Sequence, residues 1–174
     1  MIANYLRLIV FAVGLLVGIQ VPSFIDQYAK RVSAHHSEVL RNFAGFQDAA
    51  NQYFGGSVEA LIEHHIASTD QVFKDEAKSI REMYARLNAL AMELAAMRGP
   101  LIGQMIHVAF RPNQEILGET WAEYTYTVPL NAEAIVTGVA IGALLAMLIE
   151  AAYAAVMHVL RPGRRRAAAT TRAR

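Results

Sequence analysis

The 174-residue sequence is 55% hydrophobic and 18% charged, short enough for one compact unit and richer in apolar residues than a soluble domain, with the excess at its two ends. It has no cysteine, which excludes a disulfide framework, a zinc–thiolate site and a thiolate-held iron–sulfur cluster. The formal net charge of +1 hides a segregation: residues 161–174 carry six arginines and no acid, whereas residues 23–132 carry nine Lys/Arg against thirteen Asp/Glu, a net of −4.

The first apolar run, Leu8 to Ile19, follows Arg7 and ends at Gln20-Val21-Pro22. Its length also suits a signal peptide, but no small-residue cleavage site follows, so the spacing predicts an uncleaved anchor helix over about 2–21, extended by Tyr5 and a snorkelling Arg7. From Phe24 to Phe54, Ile25, Tyr28, Val32, Val39, Phe43 and Phe46 recur three and four apart, the pattern of an amphipathic helix. Gly55-Gly56 breaks it. Ser57 then caps a short helix, and Ser68 with Gln71 has capping-box spacing for the next start. That next helix carries a heptad seam, Phe73, Ile80, Leu87 and Leu94 alternating with Met83, Leu90 and Met97, which predicts a coiled-coil hairpin against the preceding helix. Such a hairpin would extend about 45 Å at 1.5 Å per residue.

Gly99-Pro100 ends the seam. Leu101 to Phe110 is too short to span a bilayer and is expected to pack at the hairpin base or lie in the lipid interface. A short helix around 115–123 follows, and Trp121, Tyr124 and Tyr126 stand where aromatic rings favour the headgroup level. Pro129 and Asn131 then open a second apolar run, Ala134 to Leu160, which is long enough to span and is interrupted by one carboxylate, Glu150. The tail with Arg161, Arg164, Arg165 and Arg166 meets anionic lipid and, by the positive-inside rule, lies in the cytoplasm.

The fold class is thus an all-α membrane protein: two antiparallel transmembrane helices with an extramembrane antiparallel helical, coiled-coil-like hairpin. The boundaries are 1–22 for the first span, 23–132 for a periplasmic hairpin with its membrane-proximal segment, 133–160 for the second span and 161–174 for the basic cytoplasmic tail. Gly14 and Gly18, and Gly138 and Gly142, form two GxxxG motifs, whose small residues let helices approach closely. Opposing Gly18 to Gly138 and Gly14 to Gly142 is one docking that satisfies both. It carries on through Ala146 to bring Glu150 opposite Leu6 and Arg7. An intramembrane carboxylate needs a partner or a proton, so an Arg7–Glu150 ion pair is expected.

Two histidine doublets, His35-His36 and His64-His65, invite a metal reading helped by Glu38, Glu59 and Glu63. Adjacent histidines on a helix point about 100° apart, so each doublet chelates only if the two meet, and the hairpin register opposes that. His107 and His158 read as interface residues rather than haem ligands. No catalytic or nucleotide-binding fingerprint is present in the sequence.

At the junction of the first span and the hairpin, Gln20, Pro22, Phe24, Gln27, Tyr28 and Arg31 stand in a Q-x-P-x-F-x-x-Q-Y-x-x-R pattern, and Val128-Pro129-Leu130 opens the second span. In this the chain resembles the proteobacterial two-span inner-membrane family catalogued as domain of unknown function 2937. The resemblance implies a bacterial inner-membrane location and carries over no functional residue. The expected function is a non-enzymatic accessory, assembly or scaffolding subunit of a larger inner-membrane complex. Its partners would be membrane lipids and that complex or further copies, without cofactor, nucleic acid or small-molecule substrate. The alternatives are a homo-oligomeric channel or transport-related protein using Glu150, and a periplasmic metal- or haem-binding protein.

Overall fold

The computed structural model describes residues 2–126 and 132–160, and within them every regular element is helical. Six helices follow in order: α1 (Ile2–Tyr53), α2 (Val58–Ile66), α3 (Gln71–Ala96), α4 (Leu101–Phe110), α5 (Gln114–Ala122) and α6 (Ala132–Leu160). Residues 127–131, with Pro129 and Asn131, and the tail with Arg161, Arg164, Arg165 and Arg166 lie outside the described residues.

The anchor and the amphipathic helix expected on either side of Pro22 are one element, α1, with Pro22 inside it. Proline removes the N–H that would have reached the Gly18 carbonyl and its ring crowds that carbonyl, yet the 52-residue helix continues through it on the turns to either side. The contacts divide the chain just beyond this point. One unit holds residues 1–23 and 126–174, the other Phe24–Thr125. α1 and α6 contain eighteen-residue stretches of mean hydropathy 2.4 and 2.2 and are long and apolar enough to cross a membrane. Only 22% and 17% of those stretches is covered by protein, unlike the core helix of a soluble domain.

In the unit 24–125 the local signals act as follows. Gly55 (φ +59°) and Gly56 (φ +88°) take the left-handed conformation that turns the chain. Ser57 caps α2 by accepting from the Ala60 N–H at 3.1 Å. The capping box expected from Ser68 is corrected: Asp70 is the cap of α3 and accepts from Val72 N–H at 2.9 Å, while Ser68 Oγ accepts from the Asp70 N–H. An ionised carboxylate at the positive end of a helix outcompetes a hydroxyl two residues earlier.

The distal core joins three helices rather than two: Phe43 and Ala50 of α1, Val58, Leu61 and Ile62 of α2, and Ala77 and Ile80 of α3. Met83 and Leu87 of the heptad seam pack against this same core, so α2 adds a third helix to it. Phe73, the first heptad position, is exposed and lies against the His65 ring. Further buried residues of this unit are Ile25, Tyr28 and Val32 of α1, Leu90 and Met97 near the end of α3, Val108 of α4 and Ile116 and Thr120 of α5.

Candidate functional site

The unit 24–125 concentrates its polar chemistry on one stripe of α1. Phe24, Tyr28, Arg31 and His35 recur at four-, three- and four-residue intervals, so they share a helix face. Each meets the segment 113–125. The Phe24 ring packs on Trp121 with centroids 4.5 Å apart and on Tyr124 at 5.3 Å. Arg31 Nη2 reaches Glu123 Oε2 at 2.6 Å, and His35 Nε2 lies 2.8 Å from Glu119 Oε2. Gln27, beside the stripe, donates to Thr125 Oγ1 at 3.4 Å. Arg86 of α3 holds the same segment through Glu115 at 3.0 Å.

At the centre of the stripe is a shared hydrogen-bond network. The Tyr28 hydroxyl donates to Glu93 Oε1 at 2.6 Å and accepts from the Asn113 N–H at 2.8 Å. His107 Nε2 donates to the same Glu93 oxygen at 2.8 Å. Three helices therefore meet on one carboxylate, and the cap of a fourth joins them through the Tyr28 hydroxyl. Asn113 completes the arrangement by capping α5, its side chain accepting from the Ile116 N–H. Burial, followed by the hydrogen bond to Glu93, pushes the Tyr28 phenol well above its ordinary value, so it stays protonated and serves as a donor.

In the unit containing α6, the glycine motifs meet. A β-carbon at Gly14 would lie 3.0 Å from Gly142 Cα, and one at Gly18 would lie 2.8 Å from Gly138 Cα. At Gly138 it would stand 2.5 Å from Ile19 Cγ1 and 3.0 Å from the Leu15 carbonyl oxygen. Backbones this close leave no room for a side chain at the contact. Ala146 is part-buried on the same helix, and Arg7 Nη2 forms an ion pair with Glu150 Oε1, both side chains remaining about half exposed.

The histidine doublets are used separately. His35 belongs to the α1 stripe, whereas His65 Nδ1 donates to the Leu61 carbonyl at 2.8 Å and its Nε2 stands 3.5 Å from Glu76. Among the described residues no three His, Cys, Asp or Glu side chains are grouped to hold a metal ion. His36 and His64 join no such group, and His64 packs on Phe54. A groove of about 410 Å³ between α1 and α3 is lined by His35, Glu38, Asn42, Glu82 and Arg86 among others, a mixture of both charges rather than a ligand set. Of the aromatic trio, Trp121 and Tyr126 are exposed. Tyr124 is buried, covered by protein through Phe24.

The pattern that joins span and hairpin in the sequence, with Phe24, Gln27, Tyr28 and Arg31, is the stripe that clasps 113–125. The family described as protein of unknown function (DUF2937) matches residues 2–162. The chain belongs to this family. Its match covers both apolar helices and everything between them. No curated protein and no solved structure matches the chain. The family description brings no activity, so the chemistry rests on the geometry above. Reading the sequence alone missed Glu93 and the roles of His107 and Asn113. The available signal was Gln104 and His107, two polar residues three apart inside an otherwise apolar ten-residue helix.

Proposed function

We propose that this chain is a non-enzymatic accessory, assembly or scaffolding subunit of a bacterial inner-membrane complex. In this reading α1 up to Pro22 and α6 are antiparallel spans, residues 23–132 form a periplasmic helical unit, and both termini are cytoplasmic. The observation that carries it is the use made of the polar groups on and around the α1 stripe. Arg31, His35, Glu93, His107, Glu119 and Glu123 each tie one element to another, so side chains that could do chemistry are committed to positioning helices. The opposed glycines support a closely packed pair of spans. Purification from native membranes in mild detergent should recover the chain with other inner-membrane proteins. Recovery solely as an isolated monomer overturns the reading.

A second reading, a homo-oligomeric conducting path, is favoured by one feature: the Arg7–Glu150 pair keeps about half of both side chains open to a neighbour. Two spans cannot enclose a path, so several copies would be needed. Glu150→Gln separates the two readings. In an accessory subunit it weakens helix association but leaves proteoliposome ion flux at background, whereas in a conducting path flux present in the wild type is lost. Removing one partner leaves the other charge exposed to hydrocarbon at a cost of roughly 3 kcal/mol on insertion scales. Arg7→Gln and Glu150→Gln should therefore each lower the detergent unfolding midpoint, and the double variant should lose less than the two together, a coupling read from the cycle.

A further inference from the structure

α4 is amphipathic in the inverse sense to a water-facing helix. Its exposed positions are Ile102, Gly103, Ile106, Ala109 and Phe110, none of them polar, with Ile102 71%, Ile106 56% and Phe110 79% exposed. Its two polar side chains are partly covered instead: Gln104 Nε2 donates to the Gly99 carbonyl at 2.7 Å and His107 Nε2 to Glu93. A helix in water carries its polar residues outward, so this face is matched to an apolar medium. The helix is bracketed by Arg98 and Arg111, both exposed and neither in an ion pair among the described residues. An apolar face between free guanidinium groups is complementary to acyl chains beneath anionic headgroups. Through His107 and Glu93 the helix is fixed to Tyr28 of α1.

We infer that α4 lies in the plane of the bilayer interface, with Ile102, Ile106 and Phe110 in the acyl boundary and Arg98 and Arg111 at the phosphates of anionic phospholipid. Ten residues cannot span, so this is a third membrane contact made without crossing. It rests on the two-span proposal only in requiring a bilayer nearby.

The chain has no cysteine, so single cysteines placed in the full-length protein each report one position. Ile102→Cys, Ile106→Cys and Phe110→Cys would carry nitroxide labels in vesicles of phosphatidylethanolamine and phosphatidylglycerol. Val72→Cys, exposed on α3, serves as the water reference, and Leu148→Cys, exposed on α6, as the span reference. The expected result is a ratio of oxygen to nickel-chelate collision several-fold higher at the α4 positions than at 72. That ratio should fall in phosphatidylcholine vesicles and when Arg98 and Arg111 are both replaced by Gln. Nickel access at the α4 positions equal to that at 72 overturns the inference. So does poor access to both reagents with spin–spin broadening, which would show a second copy covering the face. An α4 ratio that ignores both lipid charge and the arginine substitutions overturns the anionic-headgroup part. Because Leu148→Cys reports the span independently, oxygen-rich collision there with nickel-rich collision on α4 refutes this inference alone, and nickel-rich collision at 148 refutes the spanning proposal.

Discussion

Tyr28→Ala is expected to destabilise the unit 24–125 by about 3–5 kcal/mol, the range for removing a fully buried aromatic side chain. The loss has two sources. The ring fills the space where α1, α3 and the start of α5 converge, and its hydroxyl satisfies both the Glu93 carboxylate and the Asn113 N–H. Without it the peptide donor of the α5 cap is left unpaired, a penalty of about 1–3 kcal/mol within that total. Thermal unfolding followed by circular dichroism in detergent measures the sum. Tyr28→Phe keeps the ring and isolates the hydroxyl, so it should cost about a third as much or less.

The same pair of proteins separates a pH effect. Burial and the Glu93 hydrogen bond raise the phenol above its unfolded value of 10.0, so the folded state holds its proton after the unfolded chain has released it. The stabilisation from this difference is complete below the unfolded value and is lost progressively as pH rises above it. Wild-type stability should thus fall more steeply than that of Tyr28→Phe above about pH 10. Parallel curves would remove Tyr28 as the cause.

The second large effect is expected at Gly138. Even alanine there sets a β-carbon 3.0 Å from the Leu15 carbonyl oxygen and 2.5 Å from Ile19 Cγ1, and backbone cannot swing aside as a flexible side chain can. Gly138→Ala should cost about 1–3 kcal/mol by overpacking, and Gly138→Leu should separate the helices. The readout is the mole fraction of sodium dodecyl sulfate at half unfolding in mixed micelles. Gly45→Ala supplies the opposite sign, because a β-carbon there meets nothing within 4 Å. Helix propensity alone then predicts a gain of about 0.5–1 kcal/mol. Equal shifts at 45 and 138 would show that propensity, not close packing, governs both.

These residues also show how far the sequence reaches. Hydropathy over Leu8 to Ile19 and Ala134 to Leu160 is a local property, and it identified both membrane-length helices. The breaks at Gly55-Gly56 and the cap at Ser57 were equally legible, because turn and cap chemistry lies within a few residues. The docking of Gly14 and Gly18 on Gly142 and Gly138 could be read as register because two small-residue motifs of equal spacing admit one common alignment. Pro22 was less transparent. A proline reads as a boundary in sequence, yet it sits inside α1 because the rest of the helix outweighs one missing hydrogen bond.

What the sequence by itself determined is the set of helices, their apolar faces and the charge segregation, all of which follow from periodicities of a few residues. The tertiary structure alone decided that α2 joins the distal core beside the heptad positions Ile80, Met83 and Leu87. It also decided that α4 turns its polar side chains inward, and that Tyr28, His107 and Asn113 converge on or beside Glu93. Those partners stand 65, 14 and 85 positions apart in the hydrogen bonds that join them. No local pattern encodes such pairings, because they are selected by which elements can bury their faces together and still satisfy every polar group left inside.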